Sequence, residues 1–256
     1  MLLAVDIGNT STKLGVFDGD KLRSTWHMAT GVHRMADEYA ALLFNLLRQQ
    51  ELKTADIKAV AMCSVVPPLI STFEELFGRY FNITPLVVGA GVKTGVSIRM
   101  DNPREVGADR IADAAAAHKL YGGPIIIIDL GTATTFGIVS KEGDYTGGII
   151  ATGIATAAEA LFTRTAQLPR VELARPKHVI GSNTVAAIQS GVIYGYASLV
   201  EGMLERIQKE LGKKPKVVAT GGYAELIAKV TDVIDVVNPD LTLIGLRLIY
   251  QMNEGG

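Results

Sequence analysis

Apolar residues recur along this chain with two different spacings, and the switches between them mark its elements. Short apolar runs separated by turns fall at Leu2–Asp6, Lys13–Phe17 and Leu22–Met28, with "DGD" at 18–20 as one turn. That pattern predicts a meander of three strands. Met35, Tyr39, Leu42, Leu43, Leu46 and Leu47 then recur at helical spacing and predict a helix over 35–50. Ile57–Val65 reads as a buried strand, 67–81 as a helix opened by Pro67, and Pro85–Val88 as a further strand. An Ala-rich helix over 104–121 is closed by Gly122-Gly123.

The pattern then begins again. Strands are predicted at Ile125–Asp129, Phe136–Ser140 and Tyr145–Ala151, and helices at 153–167 and 183–211, the second capped by Asn183. Strand Lys216–Thr220, a helix from Gly222, strand Val233–Val237 and a helix from Asn238-Pro239 complete the chain. The two halves share wording as well as order: "LLAVDIGNTSTKLGVF" at the start returns as "IIIIDLGTATTFGIVS" near the middle. A duplicated α/β unit follows, divided as 1–121 and 122–256, with no Pro/Ser-rich linker to hold the lobes apart.

Composition narrows the function classes. A formal net charge of −1 with scattered Lys and Arg gives no footprint for nucleic acid or for an anionic membrane. Asp6 interrupts the apolar start before a secretory segment forms, and no uncharged apolar run approaches the ~18 residues of a bilayer span. The single cysteine, Cys63, sits in the apolar run "AVAMCSVV" and reads as a packed core thiol. A cytoplasmic location is expected, so the glycosylation sequon at Asn9-Thr10-Ser11 is discounted. Trp26 and Met28 read as core, and His118 as a helix C-terminal residue favoured by the dipole.

The repeated phrase carries the first chemistry. Asp6 and Asp129 end apolar strands, where a carboxylate needs a cation or donors. The Gly after each allows a tight turn and close approach of a phosphate to the backbone. Thr10, Ser11 and Thr12, and likewise Thr132, Thr134 and Thr135, offer hydroxyls beside it. An Asp next to a phosphate implies an intervening cation such as Mg²⁺. Lys13 adds a positive charge to the first loop, while Phe136 stands in its place in the second. The first loop therefore suits a triphosphate and the second something less anionic. The plainer alternative is a pair of hairpin turns with Asp as the turn residue.

Glu105, Asp109 and Asp113 recur every four residues, which on a helix makes a carboxylate stripe among Ala and Gly. Arg110 partly offsets that charge, and a solvated acidic face is the alternative. No GxxxxGK[ST] motif argues for a P-loop.

Two Asp-Gly-Thr-type hairpins in duplicated halves, together with "VVATGGYAELI" at 217–227, resemble the actin/hexokinase/Hsp70 superfamily. That resemblance implies an α/β fold of two duplicated actin/ribonuclease-H-like lobes with an ATP cleft between them. It also implies that Gly221-Gly222 meets the adenosine. "DNPREVGADR" at 101–110 resembles the substrate motif of type III pantothenate kinases, and the resemblance covers essentially the whole chain. It takes in "DIGNT" with Lys13, "DLGTATT", "GGIIATG", "GSNT" followed by "QSG", and "ATGG".

The family resemblance implies ATP-dependent phosphorylation of pantothenate, the first step of coenzyme A biosynthesis. It assigns ATP and its Mg²⁺ to Asp6, Gly8, Asn9, Thr10, Ser11, Thr12 and Lys13. Pantothenate falls to Met100, Gly107, Ala108, Asp109, Arg110 and Thr184. Asp109 matches the general base, Asp129 the ligand of a monovalent cation (K⁺ or NH₄⁺), and Thr132 an ATP contact. The resemblance implies a homodimer with shared active sites, for which the helices at 104–121 and 153–167 offer an interface. Met100 stands where the family commonly has Tyr and loses the phenol hydroxyl, a hydrogen bond of ~1 kcal/mol. The alternatives are a catalytically inactive nucleotide-binding regulator, or another small-molecule kinase or phosphatase of the superfamily.

Overall fold

A computed structural model provides the structure and describes residues 1–254. The chain forms two compact units, one of Met1–Ala116 with the segment from Leu241, the other of Ala117–Asp240.

The first unit is built on strands β1 (Leu2–Ile7), β2 (Ser11–Asp18), β3 (Lys21–Ala29), β4 (Ala59–Ser64) and β5 (Leu86–Val87) in the order β3-β2-β1-β4-β5. The three-strand meander is antiparallel, and β4 joins β1 in parallel. Strand alternation decides what covers each face. Leu3, Val5 and Ile7 point into a core with α1 (Ala36–Gln49) and α2 (Pro67–Phe81), which contribute Tyr39, Leu43, Phe73 and Phe77. Leu2 and Ala4 point the other way, against α3 (Ala108–Tyr121) and α7 (Leu241–Asn253), through Ala112, Ala115, Leu243, Leu246 and Ile249. A division at 121/122 assigns this last helix to the second half of the chain. Its apolar face instead belongs to the first sheet, a non-local contact that no local pattern announces.

The second unit repeats the plan. Strands β6 (Ile125–Leu130), β7 (Ala133–Val139), β8 (Tyr145–Thr152), β9 (Lys216–Thr220) and β10 (Val236–Val237) lie in the order β8-β7-β6-β9-β10. Ile126, Ile128 and Leu130 of β6 meet Ile188, Val192, Val200 and Leu204 of α5 (Thr184–Leu211). The unit also holds α4 (Ile154–Arg164) and the short α6 (Ala224–Ala228). Asn183 caps α5 through a bond from the Ala186 amide, and Gly212 ends it with φ of +62°. Each meander also carries one register shift, between Val16 and Phe17 in the first and between Ile138 and Val139 in the second.

Several boundaries differ from the sequence reading. The helix predicted from 104 starts at Ala108, because Pro103–Glu105 forms a separate 3₁₀ turn capped by Asn102. The strand predicted at Val233–Val237 shrinks to two residues. The strand predicted at Phe136 begins at Ala133, which takes Thr134 and Thr135 out of the loop and into the buried ladder.

Candidate active site

The first hairpin joins β1 to β2 through Gly8, Asn9 and Thr10. Its turn is closed by the Gly8 amide bonding the Ser11 carbonyl, and a Cβ on Gly8 would stand 2.9 Å from that oxygen, so glycine fits here. Thr30, just past β3, ties the turn down: its amide bonds the Thr10 carbonyl and its hydroxyl donates to the Gly8 carbonyl at 2.8 Å. Asn9, Thr10 and Ser11 are exposed at the tip. Thr12 is fully buried with its Oγ1 3.0 Å from that of Thr30, so its hydroxyl is engaged in shaping the hairpin. Thr30 lies outside every motif, and only the fold brings it to the hairpin.

One row of residues crosses the sheet at this level. His27, Lys13, Asp6 and Cys63 are register partners on β3, β2, β1 and β4. Opposite charges directly across a strand pair attract, which favours the Lys13 and Asp6 pairing. The alternation that turns Leu2 and Ala4 toward α3 turns Asp6 the same way. Cys63 is buried and donates its thiol proton to Asp6 Oδ1 at 3.4 Å. Burial, then the charges of Asp6 and Asp109, the bond to Asp6 and the charge of Asp113 push the Cys63 thiol well above its ordinary range. The thiol is thus held neutral, with Asp6 as its bonded carboxylate and Asp109 and Asp113 acting on it through their charge. The core thiol expected from the sequence is present, but its surroundings are polar on one side.

The start of α3 presents the remaining groups. Asp109 Oδ1 accepts from the Arg110 amide at 2.8 Å. A Cβ on Gly107 would collide with that same Oδ1 and lie 3.6 Å from Val65 at the end of β4, so glycine keeps this approach open. Gly107, Ala108, Asp109 and Arg110 are all half-buried. The expected carboxylate stripe is broken: Glu105 is exposed on the 3₁₀ turn and bonds Asn102 Nδ2 at 2.7 Å, whereas Asp113 is buried and accepts from Thr242. The stripe therefore divides into one surface, one half-buried and one interior carboxylate. Met100 is half-buried in the bend that precedes this turn.

The second hairpin is one residue shorter, with Gly131 and Thr132 between β6 and β7. The strand partner of Asp129 is therefore Thr135, so Thr135 and not Phe136 stands at the level of Lys13; no cation replaces it. Thr132 is exposed, and its carbonyl accepts from the Thr156 hydroxyl of α4 at 3.1 Å. Gly153 fills the place that Thr30 takes in the first unit, 2.6 Å from the Gly131 carbonyl if it bore a Cβ, so only glycine fits. Thr134, the counterpart of Thr12, consequently has a buried hydroxyl with no hydrogen-bond partner. Gly221, with φ of +90°, packs against the Asp129 carboxylate and the Leu130 backbone, and Gly222 is exposed beside it. The Tyr223 amide bonds the Leu130 carbonyl at 3.1 Å. Thr184 is exposed at the first turn of α5.

Two clusters result, Asp6, Lys13 and Asp109 in the first unit and Asp129, Thr132 and Gly221 in the second. Among the described residues no group of three or more His, Cys, Asp or Glu side chains is arranged to hold a metal. A single carboxylate fits Mg²⁺ carried in on a nucleotide, since that ion keeps several water and phosphate ligands. No described helix is long and apolar enough to cross a membrane.

Residues 2–206 match the family described as type III pantothenate kinase. A type III pantothenate kinase of Dehalococcoides mccartyi strain CBDB1 is 59% identical over 253 residues, covering 99% of this chain and 96% of that one. Among solved structures, the activator of 2-hydroxyisocaproyl-CoA dehydratase from Clostridium difficile, with bound ADPNP, superposes with a TM-score of 0.57 at 14% identity, covering 99% and 96% of the two chains. An inorganic polyphosphate/ATP-glucomannokinase from Arthrobacter gives 0.50 at 13% identity over 99% of each. These two likenesses are of fold, the two-lobed actin/hexokinase-like architecture.

Proposed function

The chain belongs to the type III pantothenate kinase family, and on that premise we propose how its residues divide the work of phosphorylating pantothenate with ATP, the first step of coenzyme A biosynthesis. The observation that supports the proposal is the row of Lys13, Asp6 and Cys63 across the sheet, with Gly107 at the start of the substrate helix set against Val65 just past β4.

In this reading the first hairpin, Gly8 to Lys13, receives the triphosphate through its backbone amides, exposed tip residues and lysine. Mg²⁺ bound with the nucleotide beside Asp6 supplies neutralisation of phosphate charge. Asp109 accepts the proton of the pantothenate primary hydroxyl as that oxygen bonds to the γ-phosphorus. The bond from the γ-phosphorus to the bridging oxygen breaks, and ADP departs. Such transfers depend chiefly on positioning and charge balance. Gly107, Ala108, Arg110, Met100 and Thr184 line pantothenate. Asp129 holds a monovalent cation, K⁺ or NH₄⁺, near Thr132 as an ATP contact, and Gly221-Gly222 meet the adenosine. The first unit thereby carries the phosphate hairpin and substrate helix, and the second the other hairpin and the adenosine turn.

A homodimer with shared sites, meeting through α3 and α4, and a cytoplasmic location belong to the same proposal. The exposed Leu161 and Phe162 of α4 support the interface.

The test is ADP formation by the full chain with pantothenate as acceptor. Turnover is expected with pantothenate and a monovalent cation, a sharp loss when K⁺ and NH₄⁺ are both omitted, and no turnover with hexoses. Turnover on hexoses alone overturns the substrate. A monomer mass by light scattering overturns the shared site.

A further inference from the structure

We infer that Asp113, held by Thr242 of α7, is a positioning residue that sets the roll of α3 and so the placing of Asp109 at the end of β4. The inference rests on Asp109 being the general base.

Asp113 follows Asp109 by four residues, one turn along the same face of α3. Only 4% of it is exposed, so it makes no contact with substrate from the surface and acts through its helix. An interior carboxylate is costly unless it is bonded. Thr242 Oγ1 donates to Asp113 Oδ1 at 2.7 Å. One turn further along α7, Gly245 lies against Ala112, so close that a Cβ would overlap the Ala112 carbonyl and stand 2.9 Å from its Cα. Thr242 and Gly245 are three residues apart and share a face of α7. The pair of contacts therefore does two things at one crossing: the glycine sets the separation of the helices, and the hydrogen bond sets their roll.

An apolar crossing fixes roll weakly, because side chains slide along one another, whereas a hydrogen bond is directional. The geometry matters because Asp109 sits in the first turn of α3, where a small rotation of the helix moves its carboxylate. α7 is itself well fixed. Leu243, Leu246 and Ile249 are fully buried under the sheet. Arg247 bonds Asp20 at the β2–β3 turn, and Asn253 Nδ2 donates to the Lys93 carbonyl at 2.8 Å. The start of α3 lies close to the end of β4, since a Cβ on Gly107 would meet both Asp109 Oδ1 and, at 3.6 Å, Val65.

The experiment compares Thr242→Val, which keeps the shape without the hydroxyl, with Thr242→Ser, which keeps the hydroxyl, in steady-state assays of the full chain. Thr242→Val is expected to lower kcat about ten-fold while KM for ATP stays within about two-fold; Thr242→Ser stays within about two-fold in both. In an Asp109→Asn background, Thr242→Val is expected to add no further loss, because it acts through Asp109. Wild-type kcat for Thr242→Val with a lowered melting temperature alone assigns the bond to stability and overturns the inference. Losses that multiply in the double variant overturn it as well. Should Thr242→Val fail to fold, Thr242→Ala, a better helix former, carries the same expectations. Asp109→Asn alone with unchanged turnover overturns the reading of Asp109 as base, and with it this inference.

Discussion

Gly221 lies against the Asp129 carboxylate so closely that no side chain fits between them. Two motifs far apart in the chain, "DLG" and "ATGG", thereby become one surface, because β6 and β9 run in parallel with Asp129 beside Thr220. Gly221→Ala introduces a Cβ at a positive φ and displaces the carboxylate. The variant is expected to lose about 1–3 kcal/mol of stability and, on the proposed role of Asp129 as cation ligand, to show weaker activation by K⁺. Urea unfolding and a K⁺ titration of the rate measure the two effects.

Asp109→Asn keeps the size of the side chain and its bond from the Arg110 amide while removing the proposed proton acceptor. A fall in kcat of about 10²–10⁴ with little change in KM for ATP is expected. Initial rates with pantothenate varied at saturating ATP give the split.

Thr12 and Thr134 occupy matching positions in the two hairpins and should respond oppositely to removal of the hydroxyl. Thr12→Val breaks the pair with Thr30 and is expected to cost about 1 kcal/mol or more. Thr134→Val removes a buried hydroxyl without a hydrogen-bond partner and is expected to be neutral or stabilising by up to about 1 kcal/mol. Equilibrium urea unfolding of both variants compares them directly.

Cys63 gives a pH signature. Its folded thiol is held protonated to a higher pH than in the unfolded chain, so the unfolded state releases its proton first as pH rises. Above the ordinary thiol range of about 8.5 the folded state binds more protons, and stability falls by up to about 1.4 kcal/mol per pH unit until the folded thiol ionises. Below that range the contribution is constant. Cys63→Ser, which does not titrate there, should show a shallower loss between pH 8 and pH 10. Thermal melts without nucleotide or divalent metal test it.

How much of this was legible in the sequence depended on whether the signal was local. The two meanders, the proline start of α2 and the Asn183 cap follow from residues adjacent in the chain, and each is present, the meanders with shifted strand ends. Thr134 and Thr135 read as loop because hydroxyl residues favour turns, yet pairing with β6 and β8 absorbs them. The break in the Glu105, Asp109 and Asp113 stripe came from Pro103 and its cap Asn102, which open a 3₁₀ turn in what spacing alone reads as helix. Thr30 and Thr242 could not be found that way. Each acts on a residue far along the chain, and nothing in its own neighbourhood marks it.

The return of α7 to the first sheet has a consequence for how the protein is made. Residues of the second unit, 117–240, lie between the two segments that build the first. On the ribosome the later-encoded unit therefore has all its residues before the earlier one gains its last helix. The floor beneath Leu2 and Ala4 stays open to water until Leu243, Leu246 and Ile249 emerge. The strand bearing Asp6 is thus synthesised before the second unit, and the core beneath it is closed only after that unit is made.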